Sequence, residues 1–242
     1  MNLRPFADTV KRNSLTLGAL MALSMGCPLH AAAIVWDTPV TISGSDDVST
    51  NGTQVFGRNI AVAYPGATAM VNGANFGYNN SNWAITFADT ATSTAAGFAP
   101  ITVGGPDGSN YAAILNNSRF GSGAAAITFT LGNLTLGQQY ELQFWVNDYR
   151  GFPNDRTETI SATGGGNTNV NTPTLSFLDS NGPVHGQWVI GVWTADTTSL
   201  TFSVQGNETS QYNALQVRAI PEAGAAVLGA FGVLALLRRR RI

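Results

Sequence analysis

Residues 140–146, Tyr140-Glu-Leu-Gln-Phe-Trp-Val146, decide the fold class. Tyr140, Leu142, Phe144 and Val146 recur with period two, the spacing that puts side chains on one face of a β-strand. The same alternation returns in AAITFTL (Ala125, Ile127, Phe129, Leu131) and in LTFSV (Leu200, Phe202, Val204). Further strand candidates are IVWDTPVTI, TQVFGRNIAVAY, WAITFA, YAAIL, TETISA, TLSFL, HGQWVIGVW and QYNALQVRA. Helical periodicity is nearly absent. Turn-forming clusters such as NGANFGYNNSN, GGPDGSN and GGGNTNVNTP separate the runs, at the spacing of a sandwich. The expectation is an all-β body forming a single antiparallel β-sandwich, of jelly-roll or Greek-key type, over residues 34–219.

The stretch just before that strand sharpens the reading. Leu134-Thr-Leu-Gly-Gln-Gln-Tyr140 resembles the turn of fibronectin type III-like sandwiches. There the Leu enters the core and the Tyr phenol pins the crossover by bonding to nearby backbone. GGGNTNVNTP could instead divide the body. The remainder after it is too short to hold a core of its own without staples, so one domain is expected.

Both ends differ in kind from this body. Arg4, Lys11 and Arg12 precede an apolar run, Leu15 to Gly26, and then His30-Ala-Ala-Ala33. Charge, apolar segment and small residues in that order are the pattern of a secretory signal over residues 1–33, cleaved beside Ala31 and Ala33. Cys27, the one cysteine, falls inside it, so the mature body can form no disulfide framework. The body's 186 residues can bury roughly 70% of the unfolded surface, enough for a core without staples.

Separating the ends changes the charge. The body carries five arginines (58, 119, 150, 156 and 218), no lysine and twelve acidic residues, a formal charge of −7. A nucleic-acid binder needs the opposite sign to displace counterions, and nucleic acid is excluded as a partner.

At the other end, Ala223 to Leu237 is an uninterrupted run of 15 apolar or glycine residues, followed by Arg238, Arg239, Arg240 and Arg241. As a helix the run would reach about 22 Å, short of a hydrocarbon core of about 30 Å. The arginines would stay on the cytoplasmic side and leave the body outside. Pro221-Glu222, the apolar run and the arginine cluster together resemble the PEP-CTERM sorting signal of Gram-negative bacteria, although Ala223 stands where that signal usually has a second Pro. The resemblance, over residues 220–242, implies a short hydrophobic helix, transient inner-membrane insertion and recognition of Pro221 and Glu222 by an exosortase-type membrane enzyme. It also implies delivery to the cell surface or extracellular matrix.

Within the body, the densest polar stretch is Asn147-Asp-Tyr-Arg-Gly-Phe-Pro-Asn-Asp-Arg-Thr-Glu158. Two arginines beside its carboxylates favour ionised acids over a raised-pKa general acid, and no catalytic motif accompanies them. The strand and loop YELQFWVNDYR with the closing NALQVRAIPE are similar to sandwich domains upstream of PEP-CTERM tails, and loosely to malectin-like carbohydrate-binding sandwiches. That resemblance implies ligand contacts at Asp148, Tyr149, Arg150 and Phe152. Trp145 and Trp188 or Trp193 offer rings for sugar stacking, but burial in the core is the expectation for them.

Metal and nucleophile chemistry find little support. His185 is the one histidine of the body, so zinc and copper lack ligands. Asp47-Val-Ser-Thr-Asn-Gly52 begins like an EF-hand but has Arg58 where the bidentate Glu belongs. Asp46 and Asp47 leave open a looser calcium site. No other cofactor is expected. Three functions follow in order: a non-enzymatic surface or matrix protein contacting exopolysaccharide, a specific carbohydrate-binding module that calcium could assist, and a secreted glycan-cleaving enzyme.

Overall fold

The computed structural model describes residues 33–60, 68–77, 83–98, 103–150, 155–163, 168–178 and 186–221. The predicted signal helix and the hydrophobic C-terminal helix lie outside them. Among the described residues no helix is long and apolar enough to cross a membrane.

With strands numbered in chain order, the largest sheet runs β12 (Asn169–Val170), β1 (Ile34–Trp36), β14 (Gln187–Thr194), β10 (Gln139–Val146), β17 (Ala214–Ile220), β3 (Thr53–Asn59), β5 (Ala74–Gly77), β4 (Thr68–Val71). The short β2 (Val40–Thr41) also pairs with β14. A second sheet runs β13 (Thr174–Leu178), β11 (Arg156–Thr163), β15 (Ser199–Gly206), β9 (Ile127–Gly132), β6 (Thr86–Asp89). A third comprises β16 (Gln211–Tyr212), β8 (Asn117–Phe120) and β7 (Ser93–Ala96). From β9 to β15 each strand lies in a different sheet from the one before it, so no two consecutive strands of this run pair as a hairpin.

The all-β expectation holds, with three corrections. The pairing is mixed: β1 joins β12 and β3 joins β5 in parallel. YAAIL is not a strand but most of a helix, α1 (Gly108–Leu115). Its buried Tyr111, Ile114 and Leu115 follow the i, i+3, i+4 spacing of a helix face. NGANF is not only a spacer. Asn72 and Gly73 both have positive φ (47° and 74°) and turn β4 into β5, since a two-residue hairpin needs that conformation at both central positions.

The two larger sheets meet through aromatic rings. Phe129 of β9 stacks on Phe144 of β10 at 6.3 Å, and Trp193 of β14 meets Phe202 of β15 edge-on at 5.7 Å. Each buried ring of this kind contributes about 1.5–3 kcal/mol. Residues on both sides of GGGNTNVNTP, among them Ile160, Leu175, Phe177 and Trp193, belong to the same apolar cluster. At the crossover from β9 to β10, Tyr140 Oη accepts the Thr135 N–H at 2.9 Å, and Leu134 is buried. The turn therefore works as its sequence predicts.

The opposite face of β10 is also covered. Trp145 donates its Nε1–H to Tyr111 Oη of α1 at 2.9 Å. Gln143 Oε1 accepts from Ser49 N–H at 2.8 Å, and its Nε2 donates to Asp47 O at 2.7 Å. Arg218 of β17 donates to the carbonyls of Thr50, Asn51 and Gly52 at 3.2, 2.6 and 2.8 Å. The segment Asp47–Gly52 is thus laid over the sheet. Polar side chains can be buried there because its backbone supplies their partners.

Candidate functional site

After β10 the chain turns inward and is anchored by Asn147. Its N–H donates to Asn213 Oδ1 at 2.7 Å, its Nδ2 to Phe98 O at 2.9 Å, and its carbonyl accepts from Gln211 Nε2 at 3.0 Å. Asp148 follows and is fully buried. Its Oδ1 accepts from Arg150 Nε at 2.8 Å, and its Oδ2 from Arg150 Nη2 at 2.7 Å and Arg156 Nη1 at 3.0 Å. One carboxylate so fixes two guanidiniums in place. Arg150 also lies 3.8 Å from the Phe98 ring centroid, a cation–π contact. Arg156 Nε is 3.5 Å from Glu208 Oε2 at the rim.

Both arginines border a cleft of about 390 Å³, within the size range of small-molecule sites. Ser93, Phe120 and the glycine-bearing turn Gly121-Ser-Gly123 form one wall, Thr209 and Gln211 another. The cleft lies where the loop after β10 meets the third sheet and the start of β11.

The predicted site residues separate into layers. Asp148 is beneath the cleft, and Arg150 borders it. Tyr149 is half-buried, with its N–H donating to Phe98 O at 2.8 Å. Phe152 lies outside the described residues. Arg156, Phe120, Ser122, Thr209 and Gln211 were not singled out from sequence. Arg156 alone carried a signal, as the second arginine of the charged loop. Gln211 arrives from the far end of the chain.

Glu158 shares the inward face of β11 with Arg156 but is sealed from solvent. Burial pushes its carboxyl well above the ordinary glutamate value, partly opposed by the Gln211 N–H that it accepts at 3.1 Å. Among the described residues, Glu158 Oε1 and Gln211 Oε1 are both buried without a hydrogen-bond partner. Asp148, Asp155 and Glu158 are all absent from the described lining of the cleft, so the geometry does not present a pair of the loop's acids across a bound sugar.

Asp46 is exposed in the turn Ser45–Asp47, whereas Asp47 is engaged within the fold. Its carboxylate accepts from Ser43 N–H and Oγ at 2.7 Å each, Gly44 N–H at 3.1 Å and Tyr111 Oη at 3.3 Å. Among the described residues no group of three metal-ligating side chains comes together. Trp145 and Trp193 are core residues, as expected, and Trp188 is half-buried. Ala33 and Pro221 are exposed at the two edges of the body. Ala31, Glu222 and Arg238 to Arg241 lie outside the described residues.

No family model and no curated protein matches the chain. Among solved structures it is similar to a family GH115 4-O-methyl-α-glucuronidase with specificity for decorated arabinogalactans, at 11% identity and a TM-score of 0.31, over 44% of this chain and 15% of that one. It is also similar to a CBM35 from Cellvibrio japonicus, at 16% identity and a TM-score of 0.27, over 43% of this chain and 78% of that one. Likenesses this low specify neither a family nor a function.

Proposed function

We propose that residues 34–219 form an exported, non-catalytic sandwich that contacts polysaccharide at the cleft between Arg150 and Arg156. The observation carrying this reading is the lining itself: two guanidiniums held by one buried carboxylate, with hydroxyls, an amide and a phenyl ring around the same space. Sugar recognition uses these groups, donors and acceptors for hydroxyls and an apolar surface for the ring. The inward placement of Asp148 and Glu158 favours binding over hydrolysis. Delivery to the cell surface or matrix of a Gram-negative bacterium would follow from the signal at 1–33 and an exosortase-type enzyme acting on the 220–242 tail.

A polysaccharide and glycan panel, run on the full chain with calcium and with EDTA, tests the binding. Saturable binding to one glycan class, insensitive to EDTA, is expected. Silence across the panel would leave the cleft without a ligand and contradict the reading. The sorting half has a separate readout: the intact mass of the native protein should lack residues 223–242, and Arg238 to Arg241 still attached would refute processing.

A further inference from the structure

The turn after β15 carries one wall of the cleft, Thr209 and Gln211. Its attachments run from β11 to β8. Asn207 N–H donates to Thr157 O at 3.0 Å, and Asn207 Oδ1 accepts from Thr157 N–H at 3.1 Å. Ser210 O accepts from Gly121 N–H at 3.0 Å, and Ser210 Oγ from Gly206 N–H at 2.9 Å. Gln211 N–H donates to Glu158 Oε2 at 3.1 Å. Of these ties only the last ends on a group that can change its charge.

Glu158 and Gln211 are each half satisfied. Glu158 Oε2 takes the Gln211 N–H, and Gln211 Nε2 donates to Asn147 O at 3.0 Å. The second oxygen of each side chain, Oε1, is buried without a hydrogen-bond partner among the described residues. Two acceptors cannot satisfy one another, but a single proton satisfies both, because a carboxylic acid donates where a carboxylate only accepts. A buried carboxylate without a cation is also the costlier form. The charged groups around Glu158 are engaged with others. Across the strand pairing it faces Leu175 and Gly206, which do not ionise. On its own strand Arg156 donates to Asp148 and lies 3.5 Å from Glu208. On β16 the Tyr212 phenol is bonded to Asp89, which pairs with Arg119.

We propose that Glu158 keeps its proton in the folded protein and donates it from Oε1 to Gln211 Oε1, so that one carboxyl grips Gln211 by backbone and side chain together. Glu158 is thereby a positioning residue for the cleft wall. It touches no ligand, and the lock operates whether or not the cleft holds a glycan. Burial strengthens the hold on the proton. Opening of the wall lets Glu158 ionise in water, so the wall loosens as pH rises.

Infrared difference spectra of the full chain at neutral pH, native against Glu158→Gln, read the proton directly. A protonated carboxyl band that the variant lacks is expected, and a carboxylate band in its place overturns the proposal. Gln211→Met removes the acceptor and should move the carboxyl band to the frequency of a group without a hydrogen bond. An unmoved band would mean that the proton goes elsewhere, and would also overturn it. Amide exchange needs only the Glu158→Gln variant, whose amide donates and accepts as the acid does, so the test stands if Gln211→Met folds poorly. Over residues 209–212 the native protein should exchange at nearly the variant's rate at pH about 4. At pH about 7 it should exchange at least about tenfold faster, tenfold being the effect of one pKa unit. A ratio that does not change with pH, or an equal rise in every strand, would overturn the assignment of the lock to this wall.

Discussion

Asp148 holds Arg156 across eight positions of chain, its Oδ2 accepting from Nη1 at 3.0 Å while the same carboxylate grips Arg150 with both oxygens. The residue that looks most like a ligand group in the sequence is thus the counter-charge that fixes two others. Asp148→Asn should destabilise the protein by about 3 kcal/mol, because removing one partner of a buried pair leaves uncompensated charge. Urea unfolding measures it. An unchanged midpoint would mean the pairing contributes nothing.

Glu158 makes stability depend on pH. Burial raises its pKa in the folded state, so the folded protein keeps a proton that the unfolded chain releases. That contribution is full below the ordinary glutamate range and is lost as pH rises through the raised folded-state value. Glu158→Gln should therefore be more stable than the native protein at neutral pH, with the gap closing at pH about 4. Unfolding curves at both pH values check the sign.

Tyr140→Phe removes the acceptor for the Thr135 N–H and leaves the ring stacked on Trp193. The expected loss is about 1 kcal/mol, visible as a shift in the urea midpoint without a change in slope. A loss several times larger would mean that the ring packing has also been disturbed.

Arg218→Met keeps the aliphatic stem but gives up the donors to Thr50, Asn51 and Gly52. Amide exchange should quicken locally, over residues 48–52, before global stability suffers. Uniform acceleration across β10 and β17 would show the segment to be part of the sheet's own cooperative unit.

Gly191 of β14 lies against the Trp36 indole, and a Cβ there would sit 2.6 Å from the ring carbons. Gly191→Ala should cost about 2 kcal/mol through overpacking, with a change in the near-ultraviolet tryptophan signal. A wild-type spectrum and midpoint would show that Trp36 repacks freely.

Much of the sandwich was legible because one face of its strands obeys alternation. Ile127, Phe129 and Leu131 are buried as predicted, and Leu200, Phe202 and Val204 match them across the pairing of β9 and β15. Ala125 reads as part of the same run but is exposed, since β9 begins at Ile127. The other face of β10 misleads: Glu141 and Gln143 look like solvent positions, yet both are buried beneath a loop, where Gln143 bonds the backbone of Asp47 and Ser49 and Glu141 accepts from Asn51 Nδ2. Alternation cannot reveal a cover supplied by distant chain. The same limit hid the cleft. Arg150 and Arg156 are visible in one loop, but Phe120, Thr209 and Gln211 join them only through the third sheet, whose strands are two to four residues long and carry almost no periodic signal.

The account depends most on where a glycan sits. Hydrogen exchange of the full chain, with and without a polysaccharide that it retains, locates the contact directly. Protection should appear at residues 120–123 and 209–211, the two walls that face Arg150 and Arg156. Saturable binding with protection confined to other strands, or with none at these walls, would contradict the assignment of the cleft.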